Sequence, residues 1–215
     1  MTYLNLINSV LRRLREDEVS TVSESIYSKM VGDFVNDAKQ IVEQSADWSA
    51  LRNTITISTT ASDNTYSLTD GGDNVKVMSV INNTQNCFME YQSKDWFNDA
   101  LYIANAVEGA PKYFTYNGLD ANGDTQVLVG PTPDGVYSLR FDVIKRQSLL
   151  TIGSDTLLVP SQPVVHLAIA LLARERGETG GTSAQEYFSI ADRYLSDAIA
   201  IDAAKHPEEM IFRTI

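Results

Sequence analysis

The spacing of apolar residues changes twice along this chain, and these changes constrain its fold more than any other feature. Up to Trp48 the apolar side chains recur at three- and four-residue steps, the period of a helix with one buried face. From Thr54 they alternate with polar residues, which is typical of strands, and after Pro160 the helical spacing returns. This order predicts an α+β protein with helices at both ends and strands between them.

Two antiparallel helices are predicted before the first strand. Their apolar stripes run over residues 2–16 and 22–48. Thr21 and Glu24 have the spacing of a capping box, in which a hydroxyl and a carboxylate each accept a hydrogen bond from a free backbone amide. We therefore expect the second helix to begin directly after Thr21.

Two more helices are predicted after Pro160. The first begins at Ser161 and is almost continuously apolar, and the second follows another capping box that starts at Ser183. One face of this last helix carries Tyr187, Ile190, Ala191, Tyr194, Leu195, Ala198 and Ile201. We predict that residues 1–52 and 161–206 form one four-helix bundle, built from the N-terminal and the C-terminal helix pairs.

The middle of the chain, residues 53–160, is predicted to be a β-rich antiparallel insert with one short helix capped by Ser93. Residues 127–147 have the pattern of a hairpin around the turn Pro133-Asp134-Gly135. Strands that follow one another are also expected to pair, namely 54–59 with 64–68 and 75–81 with 87–91.

The last residues, 207–215, are predicted to be a docking tail. Met210, Ile211 and Phe212 follow one another although the preceding helix ends at Pro207. Burial of three such side chains contributes on the order of a few kcal/mol, which favours a binding role. The predicted partner-binding residues are Met210, Ile211, Phe212, Arg213 and Ile215. The alternative is that Ile211 and Phe212 fold back onto the helices of their own subunit.

No combination of residues predicts catalysis, a metal site or a cofactor site. Cys87 is the only cysteine, and neither histidine has a neighbour at metal-ligand spacing. His166 is interpreted as a core or interface residue and His206 as part of a helix end. The remaining candidates are interpreted as ordinary surface charge or core aromatics: Asp95, Asp99, Lys145, Arg146, Trp48, Trp96, Tyr113 and Phe114. We therefore predict a protein that is not an enzyme.

The charge of the chain also limits its function. Its 215 residues carry a formal net charge of −11, which argues against a surface that holds nucleic acid by neutralising phosphates. A surface past which DNA slides without adhering remains compatible with this charge. No apolar run reaches the ~20 residues needed to cross a bilayer. The first residues lack the pattern of a signal peptide, so we expect the protein to be made in the host cytoplasm.

Four passages together resemble the head-to-tail adaptor, or connector, proteins of tailed bacteriophages, above all those with short tails. They are "SADWSALRNTITIS", "EGAPKYFTY", "LVGPTPDGVYSLRFDVIKRQ" and "DTLLVPSQPVVHLAIALLARERGE". The resemblance implies a structural virion protein at the head–tail interface. It also implies a homo-oligomeric ring of about twelve copies that binds the portal protein above and a nozzle or tube protein of the tail below. Double-stranded DNA would pass through the ring without specific binding during ejection.

Two other functions stay open at this point. One is a small monomeric or oligomeric protein-binding module with a β-rich recognition face. The other is an enzyme that uses scattered carboxylates. Size under native conditions separates a ring from a module, because a ring-forming protein gives a large closed assembly.

Overall fold

A computed structural model of the chain describes residues 1–103, 108–175 and 182–205. These residues contain five α-helices and seven β-strands. The helices are α1 (Tyr3–Arg13), α2 (Ile26–Ser45), α3 (Lys94–Asn98), α4 (Ser161–Glu175) and α5 (Thr182–Ala203). The strands are β1 (Arg52–Ser58), β2 (Thr65–Ser67), β3 (Val75–Asn82), β4 (Cys87–Tyr91), β5 (Tyr113–Leu119), β6 (Thr125–Gly130) and β7 (Ser138–Lys145).

The chain divides into two compact units. The helical unit comprises residues 1–51 and 147–215, and the β unit comprises residues 52–146. Helix α3 belongs to the β unit, and the other four helices belong to the helical unit.

Helix α4 lies at the centre of the helical unit. It packs against α1, α2 and α5. Its buried residues point in all directions around the helix axis: Pro163, Val164, Val165, Leu167, Ala168, Ile169, Ala170, Leu171, Leu172 and Ala173. A helix without a polar face has to be covered on every side, so α4 forms the core around which the other helices are arranged.

The α+β class is confirmed, but the predicted four-helix bundle with a β insert is wrong. In such a bundle all four helices would bury one face in a shared core. Here α5 makes its extensive contacts with α4. Ala191 is the only hydrophobic residue that α5 buries fully among its described side chains. The apolar stripe of α5 is therefore real, but most of it lies outside the core.

The first two helices are shorter than their apolar stripes predict. Helix α2 begins at Ile26, because Ser25 caps it and forms the reciprocal pair of hydrogen bonds with Ser28. The capping box predicted at Thr21 is wrong. The Glu24 carboxylate accepts hydrogen bonds from the backbone amides of Ser20 and Thr21, but it does so in a turn that precedes the helix. Ser25 and Ser28, each four positions after the predicted pair, form the capping box instead, so the helix begins four residues later.

Two buried polar side chains of α2 fix the segment that returns from the β unit. The Asn36 amide donates to the carbonyl oxygen of Leu150 (3.0 Å) and accepts the Leu150 N–H (2.9 Å), as a backbone partner would. Lys39 donates to the carbonyl oxygen of Gln147 at 2.6 Å. These hydrogen bonds satisfy backbone N–H and C=O groups in a segment without regular secondary structure. Burial of such groups without a partner would cost free energy.

The β unit contains one sheet in the order β1-β7-β3-β4-β5-β6-β2. All its neighbours are antiparallel except β4 and β5, which are parallel. The predicted pairing of β3 with β4 and the Ser93 cap of α3 are confirmed.

Two of the predicted strand pairs are wrong. Strands β6 and β7 do not form a hairpin, because β6 lies between β5 and β2 and β7 lies between β1 and β3. Likewise β1 pairs with β7, and β2 pairs with β6. The connection from Pro131 to Tyr137 contains two prolines and is longer than the loops of about two to five residues that join tight hairpins. The chain therefore crosses to a new position in the sheet.

The sheet curls around a single hydrophobic core. The two edge strands both contribute to it, β1 through Ile55 and Ile57 and β2 through Tyr66. Side chains from the five inner strands complete the same cluster: Val80, Met89, Phe114, Val127, Val129, Leu139, Phe141 and Val143. Because both edges reach one core, the sheet has the form of a nearly closed barrel.

Candidate interaction surfaces

The residues predicted to form the docking tail lie outside the described part of the chain. This applies to Met210, Ile211, Phe212, Arg213 and Ile215, and also to His206. The surfaces described below are therefore built from other residues.

The remaining candidates occupy ordinary structural positions. Trp48 and Phe114 are buried, as expected for core aromatics, whereas Trp96 is partly exposed and packs edge-on against Tyr113. Cys87 is half-buried in β4. Within the described ranges no group of three or more His, Cys, Asp or Glu side chains is arranged to hold a metal ion. None of the described helices is long and apolar enough to span a membrane.

A first candidate surface, the α4–α5 groove, lies between the start of α4 and the end of α5. It is a cavity of about 240 Å³ lined by Pro160, Gln162, Pro163, Tyr194, Asp197, Ala198, Ile201, Asp202 and Lys205. Its floor is mainly apolar, and Ile201 is 67% exposed. The groove lies where the start of α4 meets the end of α5, since α4 is the helix with which α5 makes its extensive contacts in the described part of the chain.

Asp202 fixes the end of α5 beside this groove. Its carboxylate accepts hydrogen bonds from the Ser49 amide (2.7 Å) and the Ser49 hydroxyl (2.6 Å), and it pairs with Lys205 at 2.9 Å. Burial raises the pKa of this carboxyl, but the bonds from Ser49 and the charge of Lys205 outweigh burial and lower the pKa overall. Asp202 therefore holds its charge and anchors the last turn of α5 to the turn that follows α2.

His166 supports the opposite end of the groove wall. Its ring stacks on Tyr194 with a centroid distance of 4.4 Å and an angle of 11° between the planes. Burial, assisted by the positive charge of Arg13, lowers the pKa of His166. The imidazole is therefore neutral at neutral pH, in agreement with its interpretation as a core or interface residue.

A second candidate surface, the β slot, lies in the β unit beside the first half of β3. Strand β4 pairs with Val80–Asn82 only, and in the described part of the chain no strand covers the same edge of residues 75–79. The amide of Val77 donates across this edge to the hydroxyl of Tyr116 at 3.1 Å. The slot is a cavity of about 410 Å³ with the exposed side chains Met78, Phe88, Tyr91 and Tyr116 around it.

The length of the strands could have indicated the β slot from the sequence. Strand β3 has eight residues and β4 has five, so part of β3 has to remain unpaired by its neighbour. The α4–α5 groove had no such signal, because the stripe on α5 predicts a buried face whether or not another helix covers it.

A model of the SU10 adaptor protein family matches residues 1–209 of the chain. The chain belongs to this family. The match confirms the resemblance to head-to-tail adaptors of tailed phages, whereas a short tail stays a prediction. A comparison with curated proteins gave no match. As a member of the SU10 adaptor family, the protein is a structural component of a bacteriophage virion.

Proposed function

We propose that this adaptor assembles into a closed ring that joins the capsid portal to the tail and surrounds the path of the DNA. Membership of the SU10 adaptor family supports this proposal. The observation that carries it is an apolar face of α5 that the described residues leave exposed. Its members are each more than one third exposed: Tyr187, Ile190, Tyr194 and Ile201.

An apolar face of this kind favours association. Contiguous exposed apolar surface on a soluble protein commonly marks a contact with another molecule. In a ring every copy presents the same surface to its neighbour, so one uncovered helix face is covered in all subunits at once. If the adaptor subunits instead bound to the portal singly, without contacting one another, this apolar face would stay exposed to solvent in every copy.

Electron microscopy of the protein mixed with the portal protein of the same phage tests the proposal. We expect closed rings seated on portal rings, with about twelve copies by analogy with other adaptors. Ile190→Glu and Ile201→Glu place charge on the exposed apolar face and should prevent ring closure. Asp192→Lys changes the charge of an exposed residue on the opposite side of α5 and should not. Monomers bound singly to the portal would contradict the ring.

We further propose that Met210, Ile211 and Phe212 dock on the portal, with Arg213 and Ile215 beside them. A protein truncated after Lys205 should remain folded but no longer attach to capsids that carry the portal. In the full chain, Ile211→Ser with Phe212→Ser should have the same effect. The matched control, Glu208→Ser with Glu209→Ser, should attach normally. Normal attachment of the truncated protein would exclude the tail as the docking element.

The charge of the chain suggests the nature of the channel. With a net charge of −11, the ring can present a mainly acidic wall to DNA, which lowers adhesion of the duplex as it passes. A structure of the assembled ring checks this, and a channel lined chiefly by Lys and Arg would contradict it.

The β slot favours a second candidate function, a binding module that acts through the β unit without forming a ring. Its partner within the virion would be the tail protein below the adaptor. Native mass measurement of the protein alone and with the portal separates the two functions, because a module stays monomeric or dimeric in both samples.

A further inference from the structure

The α4–α5 groove is shaped for a small number of apolar side chains. Pro160 and Pro163 form one wall, and Ala198 and Ile201 on α5 form the other. The cavity has a volume of about 240 Å³ and a mainly apolar lining, which suits apolar side chains. The small side chain of Ala198 leaves space in the groove, which a larger side chain at this position would fill.

The end of the described chain lies at the rim of this groove. Lys205, the last described residue, lines the groove itself and is held there by Asp202. Met210, Ile211 and Phe212 follow five to seven residues later. An extended chain spans about 3.3–3.6 Å per residue, so these residues reach roughly 16–25 Å from Lys205. The helical wall of the groove runs from Tyr194 to the end of α5 at Ala203 and is about 14 Å long, at 1.5 Å per residue.

The charges of the groove and of the following residues are complementary. Asp197 lies at the rim with an exposed carboxylate. Arg213 is the only Lys or Arg among residues 206–215, and it directly follows the apolar triplet. With the triplet in the groove, Arg213 can pair with Asp197, while Glu208 and Glu209 stay near Lys205. Exposed pairs of this kind add little affinity but they select one orientation of the bound segment.

We propose that, before assembly, Met210, Ile211 and Phe212 occupy the α4–α5 groove of their own subunit, and that the portal displaces them. This inference rests on the proposed docking role of the same residues. A tail that exposes three adjacent apolar side chains in every free subunit would promote unspecific association. The groove shelters these side chains until a better site is available. Portal binding is then an exchange of one apolar site for another.

Disulfide trapping in the full-length chain tests the proposal. In a Cys87→Ser background, Ala198→Cys is combined with Thr214→Cys, which lies beside the triplet but is not one of the proposed docking residues, and the protein is oxidised mildly. We expect an intramolecular disulfide that forms about tenfold or more faster than in the control pair Ser196→Cys with Thr214→Cys, since Ser196 is exposed and lies off the groove. Equal rates in the two pairs would overturn the proposal, and so would disulfides that link two chains.

The same variant separates this inference from the proposed function. The oxidised protein should not attach to portal-bearing capsids, and reduction should restore attachment. Attachment that is equally strong before and after reduction would show that the triplet need not leave the groove. If the disulfide does not form while truncation after Lys205 still abolishes attachment, the groove proposal fails and portal docking stands. If the disulfide forms and the truncated chain attaches normally, portal docking fails and the groove remains the site of the tail.

Discussion

Replacement of Lys39 by Met should cost far more stability than its position on a helix suggests. The Lys39 side chain is completely buried, and its ammonium group lies 3.1 Å from a carboxylate oxygen of Glu43, which is only 1% exposed. The same group donates to the backbone oxygen of Gln147, where the chain re-enters the helical unit. Lys39→Met therefore removes one charge and leaves its partner inside the protein.

The expected magnitude follows from this burial. Removal of one member of a buried ion pair costs about 3–5 kcal/mol, because the remaining buried charge loses the opposite charge that faced it. Replacement of both members by apolar side chains avoids that cost. Lys39→Met with Glu43→Met should therefore be more stable than Lys39→Met alone, and its remaining loss should be about 1–3 kcal/mol for the unpaired Gln147 carbonyl.

The assay is chemical denaturation of the three variants and the unmodified chain at neutral pH. Arg12→Met is the matched control, because Arg12 and Glu18 form a similar ion pair (2.8 Å) in which both side chains are about half exposed. Such exposed pairs contribute at most about 1 kcal/mol. If Lys39→Met costs no more than Arg12→Met, or if the double variant is the least stable of the three, the reasoning is refuted.

Two further predictions concern the helical unit. Because the pKa of His166 is lowered by burial and by Arg13, the unfolded chain binds a proton more readily, so the free energy of unfolding should fall as the pH drops below about 6.5. Between pH 7.5 and 5.5, the free energy of unfolding of His166→Gln should depend less on pH than that of the unmodified chain. The same pH dependence in both proteins would contradict this. Gly32→Ala should cost about 1–3 kcal/mol, since its Cβ would meet the buried Tyr3 hydroxyl. Gly135→Ala, with open space around it, is the control in thermal melts, and equal losses would exclude the clash.

Local features of the sequence determined the class of the fold and the order of its elements. The change of period near residue 52 and its return before Ser161 correspond to real changes from helix to strand and back. The short helix behind Ser93 and the β3–β4 hairpin were also predictable. In each case the decisive interactions join residues that are close in sequence, such as a cap and its third neighbour or two strands joined by a short loop.

The pairing of distant strands and the coverage of helix faces were decided by the tertiary structure. Alternation shows that β6 and β7 each have an apolar face, but the same faces suit any neighbour with the same period, so their actual partners came from remote parts of the chain. The stripe on α5 likewise does not reveal that only Ala191 is fully buried among its described apolar side chains. Both outcomes depend on which surfaces meet in three dimensions. A hydrophobic pattern states that a face favours burial, and only the assembled core determines whether this chain or another molecule covers it.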